Sequence, residues 1–374
     1  MLQAARIWRF FVMLFDWRTL LRFLSGRPSI DVVFITNMRD EVDRKRFLGS
    51  WVPPEGHFNG PRYWFKGVAA RTRALNVTAK DLVTHAGRRE AKKQFLAAVQ
   101  WAQQKGARVI LLAAGTKRLF GRHGEELRRR FPDMFFTIGD NGTASLLEQE
   151  TLRAMRSAGL YPGFSRICVI GPTGILGRAI AARCEALGYA VVGLCSSMER
   201  VSGCAIEAYT SFTEVGKVDA VVACSHLEAV SLSPDVVRLL KREKRKLLVI
   251  DVAEPSNMSH ATYEECRHLV VRQDAGNAYS PDLKYVLGAV SYRLFRMTQG
   301  VAFGCFAEAL AIGAELSAGH AIDFDGLAVS DENTRMARRL LERYGFGVPT
   351  PRCFGTAVTS FSLKEELTVD VLRV

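Results

Sequence analysis

The stretch that decides the fold is "RICVIGPTGILGRAIAARCEALGYAVVGLCSS", residues 166–197. It begins with an apolar run, Ile167–Ile170, which passes directly into a loop with the glycine spacing G-x-x-G-x-x-G. A helical segment follows and ends at Gly188, and a second apolar run occupies Ala190–Leu194. A strand, a glycine-rich turn, a helix and a second strand in this order predict a βαβ unit that binds a dinucleotide.

Each glycine of the loop has a separate physical reason. The first permits the tight turn, the second lets the backbone approach a pyrophosphate, and the third allows the helix to pack closely on the strand. The helix N-terminus adds free N–H groups that suit phosphate oxygens. The residues predicted to hold the cofactor in this loop are Gly171, Thr173, Gly174, Ile175 and Gly177.

The end of the second strand indicates which dinucleotide binds. Sites for NAD usually place Asp or Glu there, against the ribose 2′-hydroxyl. This chain instead has Cys195, Ser196 and Ser197, with Arg200 shortly after them. Hydroxyls and an arginine can hold a 2′-phosphate, so we predict NADPH; a plain surface position for Arg200 is the alternative. Ser225, at the end of a later strand, joins the predicted cofactor site.

Strands and helices alternate along most of the 374 residues, which predicts an α/β fold with more than one domain. We expect a Rossmann NADP-binding domain, an N-terminal α/β substrate domain and C-terminal helices, with a cleft between them and a hinge at "YPGFS". The predicted domains are an amphipathic helix at 1–27, a substrate- or carrier-binding domain at 28–164, the Rossmann domain at 165–290, and a helical region at 291–374 that carries a catalytic cysteine.

Local patterns outside the glycine loop also predict elements. The second of two overlapping segments, 134–144 and 143–160, has Thr143 as its candidate N-cap. The predicted strands are 29–37, 107–115, 134–144, 218–225, 245–255 and one near 268–271, and the predicted helices are 89–106, 143–160 and 301–310.

The net charge of +13 is unevenly placed: residues 1–164 have 28 Lys and Arg against 14 Asp and Glu, and the rest is close to neutral. Such a field attracts nucleic acid, anionic lipid or an acidic protein, although a solvated basic surface gives the same count. The basic clusters lack interleaved aromatic residues, so no nucleic-acid partner is predicted. The eight cysteines form no C-x-x-C pair and no zinc spacing, which indicates free thiols in a reducing compartment and no metal.

The N-terminal segment 1–27 has apolar residues at helical spacing between arginines. Its longest uncharged run is too short for a span of about 20 residues, and it lacks a signal-peptide cleavage site. We predict a helix lying in an anionic membrane surface, with a cytoplasmic protein peripheral at the inner face; packing on the protein itself is the alternative. The stripe is Ile7, Phe10, Leu14, Trp17, Leu21 and Leu24.

Cys305 lies in "VAFGCFAEAL", residues 301–310, among small and aromatic residues. Cysteine is the protein nucleophile most easily active near neutral pH. A free cysteine is also among the most buried residue types, so packing is an equally open interpretation from the spacing alone.

The segments "FGCFAEALA", "AGHAIDFDG" (318–326) and "ARRLLERYGFGVP" (337–349) resemble the cyanobacterial long-chain fatty acyl-(acyl carrier protein) reductase family, which forms aldehydes. "VIGPTGILG", "LLAAGTKRLF" and "FTIGDNGTASLLEQETLRAMRSAGL" match in the same order, and the distant resemblance spans roughly 80–350. The family turn reads like T-G-N-T-H-T-A where this chain has Ile138–Ala144, a departure that affects the positioning role of Asp140 and Asn141.

The resemblance implies that Cys305 takes the acyl group from a thioester and that NADPH supplies hydride. His320 matches the family pattern and is predicted to help with proton balance, with capping of a helix end as its alternative; Lys117 is predicted to bond the thioester oxygen. Phe303 and Phe306 would lie along the acyl chain. The donor would be acyl carrier protein or acyl-CoA, and the basic clusters predicted to receive an acidic carrier are Arg88, Arg89, Lys92, Lys93, Arg122 and Arg128–Arg130.

Two other functions stay open at this point. The first is an NADP oxidoreductase like shikimate dehydrogenase, with no covalent intermediate: Cys305 would then be packing, and Lys117 and Asp140 would transfer protons. The second is a membrane-associated subunit that binds NADP without turnover.

Overall fold

The computed structural model describes residues 17–121, 123–285 and 298–365. Short 3₁₀ turns occur at Asp81–Val83, Ala114–Arg118 and Glu228–Val230. The α-helices of the described residues are α1 Trp17–Leu24, α2 Glu41–Leu48, α3 His85–Gln104, α4 Glu125–Arg130, α5 Asp140–Ser157, α6 Ile175–Ala186, α7 Met198–Val201, α8 Phe212–Val215, α9 Pro234–Leu240, α10 His260–Cys266, α11 Gly304–Ser317 and α12 Asp331–Arg343. The strands are β1 Val32–Met38, β2 His57–Phe65, β3 Val68–Thr78, β4 Val109–Leu112, β5 Phe135–Thr137, β6 Arg166–Ile170, β7 Ala190–Leu194, β8 Ala208–Tyr209, β9 Ala220–Ala223, β10 Leu247–Asp251, β11 Val270–Asp274, β12 Asn277–Tyr279, β13 Lys284–Tyr285, β14 Val301–Phe303, β15 Arg352–Cys353 and β16 Thr356–Ala357.

The chain divides into two compact α/β units, each with its own six-stranded sheet. Unit 1 comprises Met1–Thr143 and Ala278–Gly347, and unit 2 comprises Ala144–Asn277 and Val348–Val374. The division falls inside α5 rather than at the expected "YPGFS" hinge, because the later residues of α5 belong to the core of unit 2. The helices α11 and α12 are part of unit 1 rather than a separate C-terminal region.

The sheet of unit 2 is parallel throughout, in the order β11-β10-β9-β6-β7-β8. Numbered from the strand before the glycine loop, this is the doubly wound order 3-2-1-4-5-6 of the Rossmann fold. The order reverses between β6 and β9, and ligands of such sheets bind at that point. The predicted α/β class and Rossmann domain are confirmed.

The apolar runs of unit 2 form strands because both of their faces are buried. Nearly every residue of β6, β9 and β10 is buried, as expected for central parallel strands covered by helices on both sides. One face packs in a core with residues of α5 and α6, and the other packs in a core with residues of α9 and α10. The strands predicted at 218–225 and 245–255 contain β9 and β10.

The sheet of unit 1 is mixed, in the order β13-β2-β3-β1-β4-β5. Strands β3, β1, β4 and β5 are parallel neighbours, whereas β2 and β13 are antiparallel additions at one edge. The β2–β3 hairpin turns at Lys66 and Gly67, which both have positive φ. That geometry suits a two-residue hairpin turn with the twist of its strands. The sequence interpretation included neither of these strands.

Two predicted element boundaries in unit 1 were wrong. Helix α5 begins at Asp140, so Thr143 is not its N-cap: the Thr143 hydroxyl donates to the carbonyl oxygen of Gly139 one turn back, at 2.9 Å. The segment predicted as one helix begins with a strand, Val301–Phe303, and the helix starts only at Gly304. Strand β14 pairs with β12, which gives the chain an extended entry into α11.

Helix α1 is the described part of the predicted N-terminal helix; residues 1–16 lie outside the described residues. The Arg22 guanidinium is buried and donates to the carbonyl oxygens of Pro28 and Gly67 and to the Asp31 carboxylate, each at 2.7 Å. The helix is therefore fixed to unit 1 through its basic side. Within the described parts of the chain, no helix is long and apolar enough to cross a bilayer.

Candidate active site

The glycine loop of unit 2 has the shape that a dinucleotide pyrophosphate requires. Gly171 has φ +81°, and a Cβ there would lie 2.9 Å from the Ser225 Cβ. A Cβ at Gly177 would lie 2.1 Å from the Gly171 carbonyl oxygen, so helix α6 packs directly on the loop. At Gly174 a Cβ would meet only that oxygen, at 3.3 Å, and the residue is exposed. The loop therefore closes on itself at two glycines and leaves its surface open at the third.

The remaining predicted cofactor residues lie in unit 2 near this loop and at the end of β7. Ser225 follows β9, the strand next to β6 at the reversal of strand order. Ser196 is half-buried after β7, while Ser197 and Arg200 are exposed at α7. Cys195 is buried at the strand end, with its sulfur 3.4 Å from that of Cys204. Thr173 is half-buried and Ile175 exposed in the loop, and these residues fit a dinucleotide carrying a 2′-phosphate.

Cys305 is the second residue of α11 in unit 1, and it is half-buried. Gly139, with φ +70°, supports it from below: a Cβ at Gly139 would lie 2.3 Å from the Cys305 Cβ and 2.5 Å from its Cα. Only glycine permits this approach and this φ together. The turn before α5 is thus pressed against the beginning of α11.

Glu308, one turn along α11, ties the same two elements together. It is fully buried; its carboxylate accepts a hydrogen bond from the Thr137 hydroxyl and another from the Gly142 N–H, the latter at 2.5 Å. Burial raises the pKa of Glu308 to about 7, against the opposing effect of these two hydrogen bonds. The sequence interpretation missed Glu308, although the "C-F-A-E-A" element contains it.

Lys117 and Asp140 form an ion pair beside Cys305. Lys117 lies in the 3₁₀ turn after β4, and Asp140 is the buried first residue of α5. Burial lowers the pKa of Lys117, but the negative charges of Asp140, Cys305 and Glu308 outweigh burial, and the net pKa is raised. Lys117 is therefore an ammonium at neutral pH.

The Cys305 thiol is surrounded by opposing effects. Burial raises its pKa to about 11, and the carboxylates of Asp140 and Glu308 act in the same direction. Lys117 and the Phe306 N–H act in the other direction. The resting side chain is consequently a thiol rather than a thiolate, with a fixed cation close by.

Aromatic side chains surround the start of α11. The Phe306 ring stacks on Phe34, with ring centroids 4.1 Å apart, and meets Tyr63 edge-on at 5.8 Å. Phe303 is 40% exposed and lies edge-on to Phe306 at 5.6 Å. Burial raises the pKa of Tyr63 to about 12, and the Cys305 charge contributes to that rise. Tyr63 belongs to the unpredicted strand β2 and was missed for that reason.

Two predicted residues have other surroundings. Asn141 donates to the Ala328 carbonyl oxygen at 3.0 Å and accepts from the Thr334 hydroxyl at 3.3 Å, so it fastens α5 to the segment before α12 and to α12 itself. His320 lies beyond the C-terminus of α11 with its Nδ1 3.4 Å from Glu315. With a rise of about 1.5 Å per residue, a helix of this length separates His320 from Cys305 by about 20 Å. The structure does not bring His320 to the thiol, and its position matches the helix-end alternative.

The predicted carrier surface is partly neutralised by its own neighbours. Lys92 pairs with Glu126, and Arg128 lies 2.5 Å from Asp325. Lys93 and Arg129 are exposed, and Arg122 lies outside the described residues. The remaining members of the two clusters are Arg88, Arg89 and Arg130, of which Arg130 lies 3.7 Å from Glu126.

No protein-family model and no curated protein matches the chain. Solved structures with a similar arrangement include L-tryptophan dehydrogenase from Nostoc punctiforme, at 11% identity over 84% of this chain and 88% of that one, with a TM-score of 0.37. Malic enzyme from Entamoeba histolytica matches at 14% identity over 85% and 71%, with a TM-score of 0.42. A third is the NADPH-dependent glyoxylate/hydroxypyruvate reductase from Sinorhizobium meliloti, at 16% over 34% and 58%, with a TM-score of 0.26.

The chain spans only 58% to 64% of the length of three of these matched proteins. By name, the three matches described above are a dehydrogenase, a malic enzyme and a reductase. Likeness at this level carries no weight for activity or substrate. The Rossmann assignment rests on the strand order of unit 2, and the resemblance to acyl reductases rests on sequence motifs.

The raised pKa of Glu308 gives a test of this arrangement. Between the ordinary pH value near 4.5 and about 7, the folded carboxyl keeps a proton that the unfolded one has lost. The free energy of unfolding therefore falls as pH rises through that window, by on the order of 3 kcal/mol for a shift of this size. Glu308→Gln keeps the side-chain shape and removes the titration.

We expect the unfolding free energy of Glu308→Gln, minus that of the wild type, to rise from pH 4.5 to pH 7 and then to level off. Denaturant melts at several pH values measure this difference, in which the titration of other groups cancels. Parallel stability curves for the two proteins would show that Glu308 does not titrate in this window.

Proposed function

We propose that this protein reduces a long-chain acyl thioester to a fatty aldehyde, with NADPH as the reductant and Cys305 as the nucleophile. The observation that carries the proposal is the position of Cys305: a reachable thiol at the start of α11, beside the Lys117 ammonium and among aromatic side chains. The substrate would be an acyl group on acyl carrier protein or on coenzyme A.

The first step transfers the acyl group to the protein. The Cys305 sulfur bonds to the carbonyl carbon of the donor thioester, the bond from that carbon to the donor sulfur breaks, and the donor leaves as a thiol that takes up the proton lost by Cys305. The exchange is one thioester for another and needs no oxidant. Asp140 and Glu308 are the carboxylates close enough to influence the thiol, and either can carry its proton during the attack.

Lys117 has an electrostatic role in this scheme. Its raised pKa keeps it cationic, so it stabilises both the thiolate of Cys305 and the oxyanion that develops on the substrate carbonyl oxygen. Asp140 holds the ammonium in place through their ion pair. Because the cation is fixed before substrate arrives, little reorganisation is needed at the moment of reaction.

The second step needs the cofactor that the glycine loop of unit 2 would hold. NADPH, when bound there, supplies a hydride for the acyl carbon. The bond between that carbon and the Cys305 sulfur then breaks, and the aldehyde leaves. With a pKa near 11, the released Cys305 thiolate regains a proton at neutral pH, which returns the protein to its starting form.

The aromatic side chains supply an apolar surface for the acyl chain. Phe303 is the exposed member of the group, and Phe306 is buried against Phe34 and Tyr63. An alkyl chain lying on Phe303 would remove that ring from water, which favours a long chain over a short one, since each buried methylene contributes about 0.8 kcal/mol.

A second candidate function has support from the Lys117–Asp140 pair. An oxidoreductase like shikimate dehydrogenase would use this pair for proton transfer at a carbonyl or hydroxyl, with no covalent intermediate. The protonated resting state of Cys305 is compatible with that chemistry. The two functions differ in whether turnover requires the sulfur of Cys305.

Cys305→Ser tests this difference. Serine removes little volume, so the fold and NADPH binding should persist, but a hydroxyl beside a fixed cation and no strong base is a far poorer nucleophile. We expect aldehyde formation from palmitoyl-CoA and NADPH to fall at least about a hundredfold.

Cys204→Ser is the matched control, since Cys204 is also half-buried but lies in unit 2. Its activity should stay near that of the wild type. A Cys305→Ser enzyme with near-normal reduction would favour the dehydrogenase function instead. Complete absence of NADPH oxidation by the wild type with every acyl donor would leave the protein as a cofactor-binding subunit.

Arg200→Ala tests the choice of cofactor. Loss of a hydrogen bond from arginine to the 2′-phosphate contributes about 1.5–3 kcal/mol, so NADPH affinity should fall at least about tenfold while NADH affinity stays the same. Titration of cofactor fluorescence measures both constants. Arg156→Ala removes the same charge from another exposed part of unit 2 and should change neither constant. Equal affinities of the wild type for NADH and NADPH would contradict the assignment.

A further inference from the structure

The edge of the unit 1 sheet presents two different surfaces because side chains alternate along a strand. In β2, Tyr63 points toward the aromatic group around Cys305, so its neighbour Trp64 points to the opposite face. In β13, Tyr285 pairs with Tyr63 in register and Lys284 pairs with Trp64. The face that carries Trp64 and Lys284 is therefore separate from the candidate active site, and no proposed step uses it.

A cavity of about 390 Å³ opens on this second face, beneath helix α1. Five of its side chains are cationic, and its one acidic side chain, Asp282, lies 3.5 Å from Lys66. The Arg18 and Arg22 guanidinium groups each lie 5.9 Å from the centre of the Trp64 ring. The lining is completed by apolar and backbone atoms; the cationic members are Arg18, Arg22, Arg27, Lys66 and Lys284.

These cations do not all have a structural purpose. Arg22 holds α1 to the sheet, and Lys66 has Asp282. Arg27 and Lys284 are exposed, and within the described parts of the chain neither takes part in an ion pair. The cavity thus has an excess of positive charge that an anion would balance.

The outer side of α1 is apolar and lies in water. Residues three or four apart on a helix share a face, which places Leu20, Leu21 and Leu24 together with Phe23 alongside. These side chains are exposed to 57%, 53%, 70% and 76%, respectively. Leu21 also lines the basic cavity, so the apolar surface and the cavity are continuous.

We propose that this surface binds the anionic phospholipids of a bilayer, with a lipid phosphate in the cavity and the apolar side of α1 among the headgroups and upper acyl chains. A soluble phosphate would satisfy the cations and leave four large apolar side chains in water. A bilayer satisfies both, because an interfacial helix buries its apolar face while basic residues meet the anionic headgroups. Trp64 between them suits an interface, since one end of its ring is apolar and the other polar.

The test uses full-length protein and flotation with vesicles of equimolar phosphatidylcholine and phosphatidylglycerol, and with vesicles of phosphatidylcholine alone. Binding should require the anionic lipid and weaken as salt rises. Each basic residue at an anionic surface contributes about 1 kcal/mol, or about fivefold. The Arg27→Gln, Lys284→Gln double variant should therefore bind about twenty- to thirtyfold more weakly, and Phe23→Ser about tenfold more weakly.

Matched controls separate this surface from the general charge and apolar content of the protein. Lys244→Gln with Arg156→Gln removes two charges from unit 2, and Phe164→Ser removes a phenylalanine that is 88% exposed there. Both should bind as the wild type does, and circular dichroism shows that every variant is folded. Inorganic phosphate should displace the protein only where the added salt alone does.

Three results would overturn the proposal. The first is equal binding to both kinds of vesicle. The second is an equal loss of binding in the cavity variants and the unit 2 controls, which would reduce the effect to net charge. The third is release by inorganic phosphate well below the matching salt effect, which would make the cavity a site for a soluble phosphate.

Discussion

The close approach of Gly139 to Cys305 is the constraint on which unit 1 depends. A Cβ at Gly139 would overlap both the Cα and Cβ of Cys305, so the turn after β5 and the first turn of α11 share one space. Glu308 fixes the same junction by accepting hydrogen bonds from Thr137 on β5 and Gly142 on α5. Because α5 starts at this junction, Asp140 is held there, and the ion pair with Lys117 follows.

The junction gives a reactive group in a latent form. Burial and two carboxylates keep Cys305 protonated, whereas Lys117 and the first turn of α11 favour the thiolate. A thiol held in this balance resists oxidation at rest, since the thiolate is the reactive species. An incoming thioester that displaces water would strengthen the interaction with Lys117, because electrostatic interactions grow as the local dielectric falls.

The sequence predicted unit 2 well and unit 1 less well, for a physical reason. The glycine loop is a local signal in which strand, turn and helix follow one another within a few residues, so Gly171 and Gly177 could be assigned roles that their close packing requires. The junction in unit 1 joins Thr137 to Glu308 across 171 residues. No local pattern reports such a contact, and the resemblance to acyl reductases pointed to Cys305 without its buried neighbours.

The misses follow the same rule. Tyr63 lies on a hairpin whose two-residue turn, Lys66 and Gly67, is a local signal that the sequence interpretation did not use. Thr143 has the residue type of an N-cap but sits one turn inside α5, because tertiary packing at Gly139 starts the helix earlier. His320 was assigned from the resemblance alone, and the length of α11 places it far from the thiol.

The most direct test of the central claim is the mass of the intact protein after incubation with palmitoyl-CoA in the absence of NADPH. The account predicts one added palmitoyl group, located by peptide mapping on Cys305 among the eight cysteines and removed when NADPH is added. An unmodified Cys305 in a preparation that oxidises NADPH with the same donor would contradict it.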